Sequence, residues 1–184
     1  MLEVLAFALW AVHRGEKLFD ERITIVSNPA ERNAETSPFT DAGLPVHIFR
    51  LAGIYGPGQN ALVNISNGTA RRILKEGQVF NRIHVADIAT VLCASLQNPH
   101  PEAIYNVTDD EPAPPQDVLL YAAELLGVEP PPEVPFEKAQ MSEMARSFYA
   151  DNKRVSNRLI REELGVKMLF PTYREGIRAL AAAG

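Results

Sequence analysis

Three consecutive acidic side chains, Asp109, Asp110 and Glu111, form one group of potential metal ligands in the sequence. Carboxylates are the ligands that hard divalent cations prefer, so this spacing allows a metal site. The trio also follows a short apolar run and precedes a proline-rich segment, which is typical of a solvated loop that caps the next element. We favour the solvated loop and predict no metal site.

Two other titratable side chains, Arg50 and His84, stand inside apolar runs. A buried arginine requires a partner, so Arg50 either forms a structural ion pair or faces a functional site. His84 is either a hydrogen-bonded framework histidine or an acid/base group. Asp87 lies near the start of a predicted helix, where a carboxylate interacts favourably with the helix dipole.

A polar cluster, Asn152, Lys153 and Arg154, places two cations next to an amide. These side chains either approach an anionic substrate or form the start of a helix whose cations lie at the surface. The sequence alone leaves both interpretations open.

The composition limits the class of protein. The chain has 184 residues, 46% of them hydrophobic, with a net charge of −5. An acidic chain without a basic face does not favour nucleic-acid binding. The apolar run near the N-terminus is shorter than the roughly 20 residues of a membrane span. Cys93 is the only cysteine, which excludes an intramolecular disulfide; we expect it to be buried and the protein to be cytoplasmic.

Hydrophobic periodicity and turn residues predict strands that alternate with helices, which favours an α/β fold with a largely parallel sheet. The predicted strands are 22–26, 45–51, 79–85 and 103–107. Residues 53–58 are predicted to form a turn, and 129–135 an extended, proline-rich connector. The predicted helices are 2–14, 61–76, 87–97, 116–126, 138–148, 155–164 and 172–182. Residues 27–43 are predicted to be loop.

Several segments resemble successive landmarks of the extended short-chain dehydrogenases/reductases, of the NAD-dependent epimerase/dehydratase kind. The resemblance covers roughly residues 44–180. The segments that carry it are LPVHIFRLAGIYGPG at 44–58, RIHVADIA at 82–89, AIYNVTDDEP at 103–112, NKRVSN at 152–157, ELG at 163–165 and YREGI at 173–177. The resemblance implies a partial Rossmann-like parallel sheet over residues 1–110, with 1–43 an uncertain remnant, and a small helical substrate lobe over 111–184.

The resemblance also implies a cofactor, NAD or NADP, and a small hydroxylated or sugar-like substrate. It implies two groups of site residues. Arg50, Tyr55, Gly56 and Pro57 would border the cofactor. Arg82 would approach the substrate together with Asn152, Lys153 and Arg154.

The sequence departs from the family in three ways. The family's glycine-rich turn, which lets the backbone approach the pyrophosphate, has no match among the 11 glycines. The family's catalytic tyrosine, four residues before a lysine, is missing from its expected place upstream of residue 44; Tyr149 and Lys153 have the spacing but the wrong chain order. Phe80 stands where nucleotide-sugar enzymes hold a diphosphate with an arginine, and we expect Arg82 to point to the opposite strand face.

These departures predict the C-terminal portion of an oxidoreductase or epimerase that is inactive alone, with its catalytic residues unknown. The alternatives are a non-catalytic binding module and an inert truncation product. A partial sheet would leave a strand edge unpaired, so the sequence also predicts a possible homo-oligomer through that edge.

Overall fold

The computed structural model describes Ile23–Val26, 47–100 and 103–183. The described chain divides into two compact units that are interleaved in sequence. Unit 1 holds the described residues of 23–52, 85–108 and 156–169. Unit 2 holds Gly53–His84, Asp109–Val155 and Phe170–Gly184. The domain division expected at residue 110 stays a prediction.

Unit 1 is built on a three-stranded parallel sheet with the strand order β1–β2–β6. Its strands are β1 (Ile23–Val26), β2 (His47–Leu51) and β6 (Ile104–Val107), and its helices are α2 (Val85–Gln97) and α5 (Arg158–Glu162). Phe49 and Tyr105 are fully buried, and their rings stack with centroids 5.8 Å apart. The short strands form because apolar and aromatic residues pack on both faces of a parallel sheet.

Helix α2 presents Ile88, Val91, Leu92 and Ser95 as its buried face, which is the helical spacing of three and four residues. Ser95 joins this helix to β2, because its hydroxyl lies 2.5 Å from Nδ1 of His47. The predicted strands and the predicted 87–97 helix of this unit are therefore confirmed within a few residues.

Unit 2 contains two short parallel pairs of strands and four helices. Strand β3 (Gly53–Tyr55) pairs with β5 (Arg82–His84), and β4 (Arg72–Leu74) pairs with β7 (Glu133–Pro135). The helices are α1 (Ala61–Ser66), α3 (Pro115–Leu126), α4 (Glu143–Ser147) and α6 (Tyr173–Ala182). The core consists of Tyr55, Leu62, Ala113, Val118, Ala122, Tyr173 and Ile177.

Local sequence signals fix both long helices of unit 2. Pro115 begins α3, where its missing N–H costs nothing, and Gly127 ends it with a φ of +66°. Thr172 and Glu175 form a capping box at the start of α6. The predicted 116–126 and 172–182 helices are confirmed.

The predicted helix over 61–76 is wrong. Helix α1 ends at Ser66 because Asn67 and Gly68, which has a φ of +67°, turn the chain. The amide groups of Thr69 and Ala70 both donate to the carbonyl oxygen of Asn64. The chain then enters β4, so the apolar residues of the second half of the predicted helix pair with β7 instead.

Four further expectations need correction. Gly53–Tyr55 forms β3 rather than the start of a turn. The helices predicted at 138–148 and 155–164 shrink to α4 and α5, with a 3₁₀ turn at Phe136–Lys138. Cys93 is exposed, because it lies on the outer face of α2. Asp109 is only 1% exposed, so the acidic trio is not a wholly solvated loop.

The remaining expectations concern residues outside the described part of the chain or features it does not contain. The helix predicted at 2–14 and the loop at 27–43 lie outside the described residues. Over the described ranges, no helix is long and apolar enough to cross a membrane. In the same ranges, no three His, Cys, Asp or Glu side chains are grouped so that they could hold a metal ion.

Candidate functional site

Unit 2 forms an open cavity of about 630 Å³, a size typical of small-molecule sites. Its wall comes from β3, β5, α1, α3, α4, α6 and the segments between them. The lining residues are Gly53, Ile54, Tyr55, Gln59, Asn60, Ala61, Asn64, Ile73, Phe80, Asn81, Arg82, Pro115, Val118, Leu119, Met141, Ala145, Phe148, Tyr149, Tyr173 and Ile177. We call this the unit 2 cavity.

The β3–β5 pair sets the position of Arg82 in this wall. Gly53 is the register partner of Arg82, and the amide of Gly53 donates to the carbonyl oxygen of Asn81 at 3.1 Å. Phe80 and Arg82 both line the cavity. The expectation that Arg82 faces away from Phe80 is therefore wrong, because residues two apart in an extended chain share a face.

The Arg82 guanidinium is held by main-chain carbonyl groups. Its Nη1 donates to Phe80 O at 2.9 Å and to Ala113 O at 3.0 Å. Burial lowers the pKa of Arg82, while the Asp109 carboxylate opposes that shift. Among the described residues that line the cavity, Arg82 is the single charged side chain. The cavity thus carries one fixed cation, and that cation interacts with the Asp109 carboxylate.

Three tyrosines, Tyr55, Tyr149 and Tyr173, also line the cavity. Burial raises the pKa of Tyr149 and of Tyr173, so both phenols stay protonated at neutral pH. The Tyr173 ring centroid lies 5.9 Å from the guanidinium carbon of Arg82. Tyr173 is completely buried, and its hydroxyl has no hydrogen-bond partner among the described residues.

Tyr149 is not half of a catalytic pair with Lys153. Residues 151–157 are not helical, so the spacing of four does not bring the two side chains together as it would on a helix. Lys153 instead pairs with Asp151 at 2.9 Å on the surface. The Tyr149 ring packs edge-on against Phe80, with centroids 5.1 Å apart.

Two amide side chains of the cavity wall are occupied by contacts within the protein. Asn60 caps α1 by accepting from Val63 N at 3.1 Å, and it donates to Gly56 O at 2.8 Å. Asn81 donates to Lys153 O and accepts from Val155 N, each at 2.9 Å. Each of the two amides therefore has one N–H group and its oxygen engaged in hydrogen bonds within the protein.

The predicted cofactor residues lie in both units. Arg50 is in β2 of unit 1, whereas Tyr55, Gly56 and Pro57 follow one another in unit 2. Gly56 exchanges two main-chain hydrogen bonds with Gln59, which closes a tight turn after β3. Within that turn Tyr55 and Gly56 are buried and Pro57 is exposed. Their role in cofactor binding stays a prediction.

Of the predicted substrate residues, the structure places only Arg82 in the cavity wall. Asn152 instead accepts from Val79 N at 3.1 Å and donates to Gly77 O at 2.9 Å. Lys153 and Arg154 are exposed, and within the described chain none of the three lines the unit 2 cavity. Substrate contact by these three residues stays a prediction.

Sequence reasoning missed Tyr173, Ile177 and Phe80 as members of the cavity wall. A signal was present for the first two. They lie four residues apart on α6, so they share one helix face, and both are buried. Phe80 also had a signal, because residues two apart in an extended chain share a face and it lies two residues before Arg82.

Comparisons with known proteins agree on the fold. No protein-family model matches the chain. A curated relative, the 3-diazoavenalumate denitrifying reductase of a Streptomyces species, is 29% identical over 143 residues, which cover 71% of this chain and 45% of the relative. The chain thus spans less than half the length of that reductase.

Three solved structures share the arrangement. A conserved protein of unknown function from Silicibacter pomeroyi is 51% identical with a TM-score of 0.77, covering 88% of this chain and 60% of that one. A candidate NAD-dependent epimerase/dehydratase from Methylobacillus flagellatus is 26% identical with a TM-score of 0.59, covering 86% and 54%. The human epimerase family protein SDR39U1, solved with NADPH, is 17% identical with a TM-score of 0.66, covering 97% and 72%.

The matches to these two proteins cover 86% and 97% of this chain, so most of its length belongs to an α/β fold of this kind. The predicted resemblance is confirmed, because the structural neighbours of this chain include NAD-dependent epimerase/dehydratase and short-chain dehydrogenase/reductase family proteins.

Proposed function

We propose that this chain supplies the substrate-binding part of an NAD(P)-dependent oxidoreductase or epimerase that acts on a small hydroxylated compound. The observation that carries the proposal is the unit 2 cavity, whose wall contains Tyr55 and Arg82 from two segments of family resemblance. The structure of a neighbour, human SDR39U1, contains NADPH, and that of another, a dTDP-glucose 4,6-dehydratase from Bacillus anthracis, contains NAD. A shared fold makes the same cofactor class the natural expectation here, by analogy.

We further propose that the 184-residue chain does not turn over substrate alone. A pyrophosphate is held by glycine-rich backbone at a helix N-terminus, and the sequence contains no such run of glycines. The chain does contain Tyr55, Gly56 and Pro57, which the resemblance assigns to the nicotinamide end. The expected behaviour is weak contact with the nicotinamide half of the cofactor and none with the adenosine half.

Saturation-transfer NMR tests this division directly. The purified chain is mixed with millimolar nicotinamide mononucleotide in one sample and with AMP in another. The proposal predicts transfer to the nicotinamide ring protons and no transfer to the adenine protons. Absence of any transfer to nicotinamide would contradict the proposed oxidoreductase function. Stronger transfer to adenine than to nicotinamide would contradict the assignment of Tyr55, Gly56 and Pro57 to the nicotinamide end.

One observation favours the second candidate, a non-catalytic binding module. The cavity is fully formed by unit 2 alone, so it requires no cofactor half to exist. If a small molecule bound in the cavity while nicotinamide mononucleotide gave no signal, the binding module would replace the oxidoreductase as the proposed function.

We also propose a cytoplasmic location, because one exposed thiol suits a reducing compartment.

A further inference from the structure

We infer that the unit 2 cavity selects a ligand with an aryl body and one acceptor oxygen, which the Tyr173 hydroxyl binds, rather than a nucleotide-linked sugar. This inference rests on the proposed function, since it names the substrate class of the same cavity. It does not require the cofactor, because every residue involved belongs to unit 2.

The body of the ligand follows from the wall. Five aromatic residues line the cavity, and aliphatic side chains supply most of the remainder. The aromatic residues are Tyr55, Phe80, Phe148, Tyr149 and Tyr173. Aromatic rings gain from stacked or edge-on contact with another ring beyond the gain from burial alone, so this wall favours an aryl group.

The polar capacity of the wall is too small for a sugar. A sugar presents several hydroxyl groups, and each one left unpaired on burial costs free energy. The side-chain amides of Asn60 and Asn81 each already form two hydrogen bonds with main-chain groups of the protein. Gln59 and Asn64, the other two amides of the lining, are exposed, so a hydrogen bond from either one to a sugar would replace one to water with little net gain.

The charge of the wall is likewise too small for a diphosphate. Phosphate groups are bound by several cationic or N–H donors acting together. In the lining described here Arg82 is the single cation, and the Asp109 carboxylate interacts with it. Phe80, which lies near Arg82 in the same wall, has no hydrogen-bond donor in its side chain. Its ring packs against Tyr149.

The Tyr173 hydroxyl is the polar group of the cavity wall to which we assign the acceptor oxygen of the ligand. It is buried, it has no hydrogen-bond partner in the described chain, and its ring belongs to the cavity wall. A buried polar group without a partner is costly, and an acceptor oxygen on a ligand removes that cost. Because the phenol stays protonated, it donates to the oxygen of a carbonyl or carboxylate group.

The chain offers a matched control for this hydroxyl. Tyr121 stands edge-on to Tyr173, with ring centroids 6.0 Å apart, and its hydroxyl is also buried without a partner among the described residues. Tyr121 does not line the cavity. The substitution Tyr121→Phe therefore removes the same atom from the same core without touching the proposed site.

The experiment is calorimetric titration of the full chain with trans-cinnamate, acetophenone and UDP-glucose. We expect the two aryl probes to bind and UDP-glucose not to bind at the same concentration. Tyr173→Phe should weaken aryl binding roughly three- to tenfold, the loss of one hydrogen bond, while Tyr121→Phe leaves it unchanged. Equal weakening by both variants, or tighter binding of UDP-glucose than of either aryl probe, would overturn the inference.

A second readout protects the test against a variant that fails to fold. In the wild-type chain, trans-cinnamate should shift the methyl NMR signals of Val118 and Ile177, which line the cavity, and not that of Ile88 in unit 1. No shift at Val118 and Ile177 overturns the inference. If nicotinamide mononucleotide still gives saturation transfer in that case, the proposed function survives, so the two failures are distinguishable.

Discussion

The Tyr55 side chain lies so close to the backbone of Gly176 that a Cβ atom built on Gly176 would stand 2.1 Å from the Tyr55 hydroxyl oxygen and 2.8 Å from two ring carbons. Real Cβ atoms do not approach so closely, and protein interiors leave no slack to absorb the overlap. Gly176 lies within α6, the helix that also carries Tyr173. The glycine therefore lets α6 pack against Tyr55 in the cavity wall.

Replacing Gly176 with alanine should destabilise the protein even though alanine favours helices by about 1 kcal/mol. The added methyl must displace Tyr55, and such overpacking costs typically about 1–3 kcal/mol. We expect a net decrease in the free energy of unfolding, measured by urea denaturation of the wild type and of Gly176→Ala. An unchanged or increased stability would show that Tyr55 does not occupy this position.

The double variant Tyr55→Phe/Gly176→Ala is the control for that prediction. Removing the phenolic oxygen eliminates the 2.1 Å contact but leaves the ring carbons at 2.8 Å. The double variant should therefore recover part of the stability that Gly176→Ala loses. Simple additivity of the two single substitutions would argue against direct contact.

The capping box at the start of α6 should contribute measurably to stability. Thr172 Oγ1 accepts from Arg174 N at 3.2 Å, and Glu175 Oε2 accepts from Thr172 N at 3.0 Å and from the Thr172 hydroxyl. Thr172→Ala should cost about 0.5–2 kcal/mol in thermal denaturation, and Thr172→Ser should cost little. The Thr172 hydroxyl also lowers the pKa of Glu175, so NMR titration of Thr172→Ala should find that pKa raised. An unshifted Glu175 would contradict the hydrogen bond.

Asn152 distinguishes a structural role from the predicted contact with substrate. Its two hydrogen bonds to Val79 N and Gly77 O should make Asn152→Ala cost about 1–3 kcal/mol. Lys153→Ala, which removes only an exposed ion pair with Asp151, should change stability by less than about 1 kcal/mol. Thermal denaturation measures both. A stable Asn152→Ala protein with weakened binding of trans-cinnamate would instead support the substrate role.

The buried histidine of unit 2 should make stability depend on pH. His84 lies edge-on to Tyr55, with centroids 5.2 Å apart, and 4.2 Å from the Phe170 ring, and burial lowers its pKa. In the unfolded chain His84 binds a proton at about pH 6.5, whereas in the folded protein it does so only at lower pH. The contribution of His84 to the free energy of unfolding is therefore complete above about pH 6.5 and is lost as the pH falls below that value.

Two measurements check the sign of this effect. Urea denaturation should give a smaller free energy of unfolding at about pH 5 than at about pH 8, and His84→Phe should reduce that difference. NMR titration of the imidazole should place the pKa of His84 below its ordinary value. A raised pKa, or a protein more stable at the acidic end because of His84, would contradict the burial of a neutral ring.

The sequence was sufficient for the elements whose signals are local. Strand β2 is apolar apart from His47 and Arg50, and α3 is bounded by Pro115 and Gly127, so both are recognisable from neighbouring residues in the sequence. The predicted helix over 61–76 failed because its second half is stabilised by pairing with β7, some sixty residues later. Helical periodicity cannot register such a partner.

The candidate site was predictable only in part for the same reason. Arg82 was identified from a motif, but Tyr173 joins it through α6, some ninety residues later, which is a long-range contact. Asp109 was expected in a solvated loop, yet it is only 1% exposed and its carboxylate interacts with the half-buried Arg82. The predicted association through a sheet edge, where β1 and β6 flank the described sheet of unit 1, stays a prediction.

The most direct test of the account is isothermal titration of NADPH and NADH into the purified 184-residue chain. We propose that the chain carries a substrate cavity and the nicotinamide end of a cofactor site, but not the glycine-rich backbone that binds the pyrophosphate. This proposal predicts dissociation constants in the millimolar range or weaker for both dinucleotides. Saturable binding with a micromolar or tighter constant would contradict it.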